Sequence, residues 1–361
     1  MQKKSHTNTL QPTKRSFLPG ILLGTTSIAV SVLFHYYPQL CEQLYSRTFF
    51  IAFRHLIGIF SRLLPFPIVY LEAVLLIIFF FFSIKKWLKT KGWKSRCARL
   101  LLGILSFIGW AIFLFQFSWG FNYQRIPVER HLKLHLKGLE LKELETAYQY
   151  TLDSALYYRK QIDDFHFNEK KHLPEIHKAL TQTLRNSQYA APEWVFVKPL
   201  FDGSLLHFET AGIYIPFAGE GYYDSGLHDL SKPFTACHEL SHAYGFGDEG
   251  LCNFWAYVAN SSSKEPLIRY CTELRYLRYL YSAIRRINPK AYNRLIKAMP
   301  DNVRNDIIAI IKKHNGYASF FPKFRDQVYN SYLKTQGVKE GIKSYSRIVV
   351  LVEAWKRKQK N

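Results

Sequence analysis

The sequence predicts an α-helical membrane anchor followed by a mainly helical α+β domain with a small edge-strand sheet. Three observations carry this reading. Long apolar stretches crowd the first third of the chain, helix-like spacing dominates its last third, and short runs of β-branched and aromatic residues gather just ahead of a single His-Glu-x-x-His motif. The 361 residues, 48% of them hydrophobic, suffice for a membrane region, residues 1–119, and one further domain, residues 120–361.

Taken in order, residues 1–15 are polar and basic, with Lys3, Lys4, Lys14 and Arg15 ahead of any apolar run. Residues 17–37 are then almost uncharged and long enough to cross about 30 Å of hydrocarbon. No clear small-residue cleavage site follows, so the stretch reads as a retained span rather than a signal peptide. Residues 41–65 mix Arg47, Arg54 and Arg62 with Phe, Ile and Leu, as expected of a helix lying at the membrane interface. Spans two and three are expected at about 66–84 and 100–119.

Between them, Lys85, Lys86, Lys89, Lys91, Lys94, Arg96 and Arg99 form a basic loop that the positive-inside rule assigns to the cytoplasm. Three spans then put everything after Trp119 on the far side. The formal charge of +22 is thereby in part a topology signal and in part an attraction to anionic lipid. No base-reading module accompanies it, so the lipid bilayer is an expected partner and nucleic acid is not.

In the second part, helices are expected over 139–162 and 174–184, and strands at 195–197, 205–208 and 212–217. Pro216 restricts the last of these to a sheet edge, where it could pair with an extended peptide. After Glu249 the spacing predicts helices over 250–260, 265–287, 289–299, 301–314, 322–333 and 338–355, then a solvated basic tail. The five cysteines show no zinc-binding pattern, and no connectivity can be deduced from them.

The chemistry concentrates in Cys237-His238-Glu239-Leu240-Ser241-His242-Ala243-Tyr244-Gly245-Phe246-Gly247-Asp248-Glu249. On a helix His238 and His242 share a face one turn apart, so both imidazoles can reach one Zn²⁺. Glu239 at the edge of that face is the candidate catalytic base for a water beside the metal. Ser231 and Pro233 suit the helix start, and Gly245 and Gly247 its end. Either Asp248 or Glu249 could supply the third ligand. Asp is the better helix cap, which leaves Glu249 as the better ligand. Arg269, Tyr270 and Tyr276 are candidate donors to an oxyanion, while His207 and His228 lack ligand spacing. The competing reading of the motif is an amphipathic helix with buried, hydrogen-bonded histidines.

Trp119-Gly120-Phe121-Asn122-Tyr123, residues 212–220 and 238–254, Val328-Tyr329-Asn330-Ser331-Tyr332-Leu333 and Gly341-Ile342-Lys343-Ser344-Tyr345 resemble an uncharacterised bacterial membrane-protein family, a domain of unknown function. The resemblance covers most of the chain. It implies a zincin-like domain anchored in the bacterial cytoplasmic membrane, with His238 and His242 as ligands and Glu239 as base. Members often carry another acid just before the Asn-Phe pair, where this chain has Leu251 and Cys252, so Glu249 is the nearest match for a third ligand. The expectation is a membrane-anchored zinc metallopeptidase whose domain lies outside the cytoplasm and whose substrates are envelope proteins or peptides. The alternative is a non-catalytic scaffold with a structural metal site. The motif lies far along the chain from the last span, which disfavours an intramembrane protease.

Overall fold

Four helices begin the chain: α1 (Leu18–Tyr36), α2 (Phe50–Leu63), α3 (Ile68–Leu88) and α4 (Trp93–Ser118). The computed structural model describes residues 16–320 and 347–360. Of these helices α1, α3 and α4 are long and apolar enough to cross a membrane. α1 packs along α4 through small residues, so closely that a Cβ on Gly24 would lie 2.5 Å from the Gly109 Cα. Such contacts hold helices together where lipid is as apolar as the side chains. α3 buries none of its residues, and its Phe79, Phe80, Phe81 and Phe82 are exposed. A face that apolar is compatible with lipid rather than water.

α3 and α4 extend into the basic stretch, leaving only residues 89–92 as the link between them. Lys and Arg are good helix formers, and Lys85 and Lys86 fall in the last turn of α3, where cations favour the helix dipole. Residues 41–65 form a π-helical stretch, Cys41–Phe49, that runs into α2. Their polar groups also face protein. Arg125 grips Glu42 through two hydrogen bonds of 2.8 and 3.0 Å, and Arg54 is only 1% exposed.

The second part contains α5 (Leu141–Arg159), α6 (Glu169–Asn186), β1 (Val197–Leu200), β2 (Gly212–Ile215), β3 (Glu220–Asp224), α7 (Lys232–Ala243), α8 (Glu249–Asn260), α9 (Pro266–Ile287), α10 (Pro289–Ala298), α11 (Asp301–Asn315) and α12 (Arg347–Lys360). Local chemistry sets several starts. Glu140 and Glu143 form a reciprocal capping box on α5, Asn168 caps α6, and Asn288 caps α10. The Asn168 cap starts α6 earlier than the expected helix at 174–184, with Pro174 inside it.

The sheet has the order β1-β3-β2, with β1 parallel and β2 antiparallel to β3. The edge position expected of 212–217 is that of β2. Residues 195–197 instead contribute to a strand beginning at Val197. Residues 205–208 form a tight 3₁₀ turn, Leu206–Phe208. The Asp224 carboxylate imposes that turn by accepting the Gly203, Leu205, Leu206 and Gly226 amides at 2.7–3.1 Å. The central strand, β3, is fully buried and begins and ends on acids, so no alternating pattern announces it.

α7 lies across β2 and β3, and α8 and α9 close the core behind it. The basic tail continues as the end of α12, with the Lys356 ammonium 4.9 Å over the Tyr276 ring and residues 358 and 359 exposed as expected. The helix expected at 322–333 and the start of the one at 338–355 lie outside the described residues, as do the basic residues 1–15 and the patches at 328–333 and 341–345.

Candidate metal centre

α7 carries His238, Glu239 and His242, and ends at Ala243. Gly245, at φ +85°, turns the chain back. Asp248 then caps α8, its side chain accepting the Leu251 amide at 2.7 Å. Glu249 is thereby the first residue of α8 and faces the two histidines. Its carboxylate lies 3.1 Å from His238 Nε2 and 3.6 Å from His242 Nε2, and the two Nε2 atoms are 3.1 Å apart. Ligand atoms 2.0–2.2 Å from a tetrahedral ion are separated by about 3.3–3.5 Å, so the three groups could hold one metal with little movement.

Outer contacts orient both rings. His242 Nδ1 donates to the Phe246 carbonyl at 2.8 Å and His238 Nδ1 to Asn253 Oδ1 at 3.0 Å, which leaves each Nε2 lone pair for the shared point. Cys252 Sγ lies 3.3 Å from His242 Nδ1. Burial lowers the His238 pKa and favours its neutral, ligating form. For Glu249, burial opposes ionisation, but the adjacent imidazoles prevail and hold the carboxyl well below the usual carboxylate range. For His242, burial is outweighed by the Cys252 and Glu249 beside it, and its pKa rises above the histidine range. The cluster therefore stabilises positive charge at its centre, which a divalent cation would supply.

Glu239 is buried, and its Oε2 has no hydrogen-bond partner among the described residues. Burial pushes its carboxyl up to about 8, with His242 opposing and Glu249 adding to the rise. It fits only because glycines face it. A Cβ at Gly212 would come 2.5 Å from Oε1, and one at Gly221 2.9 Å from the Glu239 Cβ. An orphaned carboxyl oxygen beside the cluster is what a bound water or a reacting group would satisfy.

These side chains line a cavity of about 750 Å³ that also takes in Gly212, Ile213 and Tyr214 of β2. No described strand pairs with the outer edge of β2. Asp224 N donates to Ala211 O at 3.0 Å, so alternation of the antiparallel ladder directs the Gly212 and Tyr214 backbone groups off that edge. Phe115 and Trp119, at the end of α4, line the cavity as well, and Trp119 Nε1 donates to the His242 carbonyl at 2.7 Å. The motif is thus remote from the last span in sequence and in contact with its end in space.

Three expected oxyanion donors are placed elsewhere. The Tyr270 hydroxyl donates to Asp306 at 2.5 Å, the Tyr276 hydroxyl to Glu353 at 2.9 Å, and Arg269 lies 4.3 Å over the Tyr158 ring. Their helix, α9, presents Arg275 and Arg278 to the cavity instead, one turn apart. His228 also lines it, while His207 Nδ1 bonds the Ala318 carbonyl at 2.8 Å. Asn253, Arg275, Arg278 and Trp119 carry no ligand spacing, and only proximity in space marks them. All five cysteines are free thiols.

No curated protein and no solved structure matches the chain. The profile of one protein family, described as a protein of unknown function (DUF3810), matches residues 45–352, from the π-helical stretch through the His238, His242 and Glu249 cluster into α12. The chain belongs to that family of unknown function.

Proposed function

We propose that this chain is a membrane-anchored zinc metallopeptidase with a zincin-like domain, acting on proteins or peptides of the bacterial cell envelope. The observation that carries the reading is the convergence of His238, His242 and Glu249 beside a buried carboxyl, Glu239, on the wall of a cavity bordered by a strand edge. When bound, zinc would polarise the scissile carbonyl and lower the pKa of water toward about 7.

The chain's own groups do the rest. Gly212 and Tyr214 offer backbone hydrogen bonds to an extended peptide, holding its amide across the mouth of the cluster. Glu239 takes a proton on its carboxylate and returns it to the leaving amine. Burial, with Glu249 adding and His242 opposing, raises this carboxyl to about 8, and a cation beside it favours the charged form, so it can exchange a proton near neutrality. Trp119 and Asn253 keep the cluster in place. On the positive-inside rule the basic turn between α3 and α4 faces the cytoplasm, which puts the cavity outside it, at the membrane surface.

Elemental analysis of detergent-purified protein tests the centre. About one zinc per chain is expected in the wild type, and none in the variant carrying both His238→Ala and His242→Ala. With metal loaded, Glu239→Gln is expected to retain zinc and to lose at least about a hundredfold in cleavage of a peptide library. Full activity in Glu239→Gln would instead assign the metal a structural role on a non-catalytic scaffold.

A further inference from the structure

Arg275 and Arg278 on α9 are half-buried and line the same cavity as the metal cluster. Neither makes an ion pair among the described residues, whereas Arg125, Arg159, Arg294 and Arg347 all do. Arg275 stacks over the Tyr279 ring at 5.1 Å and the Phe234 ring at 5.9 Å, which fixes its guanidinium plane against the wall. Burial and the charge of Arg275 together lower the Arg278 pKa to about 10.

Two adjacent cations withdrawn from water carry a desolvation cost and a mutual repulsion that an anionic ligand relieves. The acids on the cavity wall are Glu209, Glu239 and Glu249. Glu239 and Glu249 belong to the centre, and the wall around the arginines adds Ser231 and His314, both of which can donate hydrogen bonds, while the Thr235 hydroxyl donates to the Ser231 carbonyl at 2.9 Å. The guanidinium fork matches a carboxylate in two-point geometry.

We propose that Arg275 and Arg278 form an anion subsite that selects peptides bearing a carboxylate within reach of the metal cluster. The carboxylate is either the C-terminus of the peptide or an acidic side chain, and the peptide backbone runs along β2. This rests on the peptidase reading for its choice of a peptide, and the test separates the two.

The test is fluorescence polarisation of labelled hexapeptide libraries on zinc-loaded, detergent-purified full-length Glu239→Gln protein, where no turnover intervenes. One library ends in a free acid, one is amidated, and two amidated ones carry a fixed internal Glu or Gln. The expected result is binding at least about tenfold tighter for the free-acid library or the Glu library than for its neutral counterpart. Arg275→Gln with Arg278→Gln is expected to abolish that preference at unchanged zinc content and melting temperature. The lysine pair Arg275→Lys with Arg278→Lys keeps the charge and is expected to restore part of it.

A free-acid preference alone identifies a C-terminal carboxylate, and a Glu preference alone an acidic side chain. Binding without charge preference, a preference that survives in the glutamine pair, or no binding by any library would overturn the subsite. So would tighter binding of a soluble short-chain anionic phospholipid than of every peptide. Carboxylate-selective binding by this protein alongside no library cleavage by the loaded wild type would leave the subsite standing and remove the peptidase reading.

Discussion

Asp248 and Glu249 are chain neighbours with opposite tasks, because the first residue of a helix points back along the preceding turn while its cap bonds the helix's own amides. Glu249→Ala is therefore expected to lose more zinc affinity than the roughly 10–100-fold typical of an outer-shell partner. Asp248→Ala should leave zinc largely in place and cost about 1 kcal/mol of stability. Competition with a fluorescent zinc chelator separates the two, and equal losses would reverse the assignment. A second buried acid, Glu273, lies away from the cluster and accepts a hydrogen bond from Ser154 at 3.1 Å. Burial, with Lys356 opposing, pushes its carboxyl from 4.5 up to about 6. The folded state thus keeps a proton that the unfolded chain has already released, so this group's contribution to stability is intact below about pH 4.5 and is lost as pH rises through 6. Glu273→Gln removes the loss. Between pH 4 and pH 7 the wild type should fall by about 2 kcal/mol relative to the variant in denaturant melts, and a constant difference would show that the site does not titrate as described.

Among the elements, one fully buried acid ties the N-terminal helices to the sheet. Glu220 at the start of β3 pairs with Lys198 at 2.5 Å and accepts from Ser61 of α2, the Ile68 amide of α3 at 3.0 Å and the Tyr222 hydroxyl at 2.7 Å. Lys198 also donates to the Ser61 and Leu64 carbonyls at 3.0 and 3.1 Å. Lys198→Met leaves a buried carboxylate without its counter-ion and is expected to cost about 3–5 kcal/mol. Replacing both partners, with Lys198→Met and Glu220→Leu, should cost less than the sum of the single changes. Thermal melts in detergent read this coupling, and strict additivity would show that the pair acts as two independent groups.

For the whole molecule, the contact of Trp119 with His242 sets the His238, His242 and Glu249 cluster at the end of a helix able to cross a membrane. Orientation can be read with a native thiol, because Cys97 is exposed and Cys41, Cys237, Cys252 and Cys271 are buried. A membrane-impermeant maleimide is expected to label the protein only after cells are permeabilised. Labelling in intact cells would place the basic turn outside and the cavity in the cytoplasm.

The sequence by itself determined the apolar helices, the helical character of the second part and the motif with its flanking acids. Those signals are local: a hydrophobic run longer than a bilayer, a 3.6-residue period, two histidines one turn apart, and Asp preferred over Glu as a cap. It missed β3, because Glu220 and Asp224 owe their burial to partners on α2, β1 and the 201–206 turn, and it misplaced the turn that Asp224 organises for the same reason. It named Arg269, Tyr270 and Tyr276 and did not point to Arg275 and Arg278, which line the cavity, because spacing along α9 does not say which face the rest of the fold leaves open. Only the tertiary structure decided that face. The cavity forms where β2, the end of α4 and the wall of α9 meet, and contacts between residues more than a hundred positions apart leave no period in the sequence.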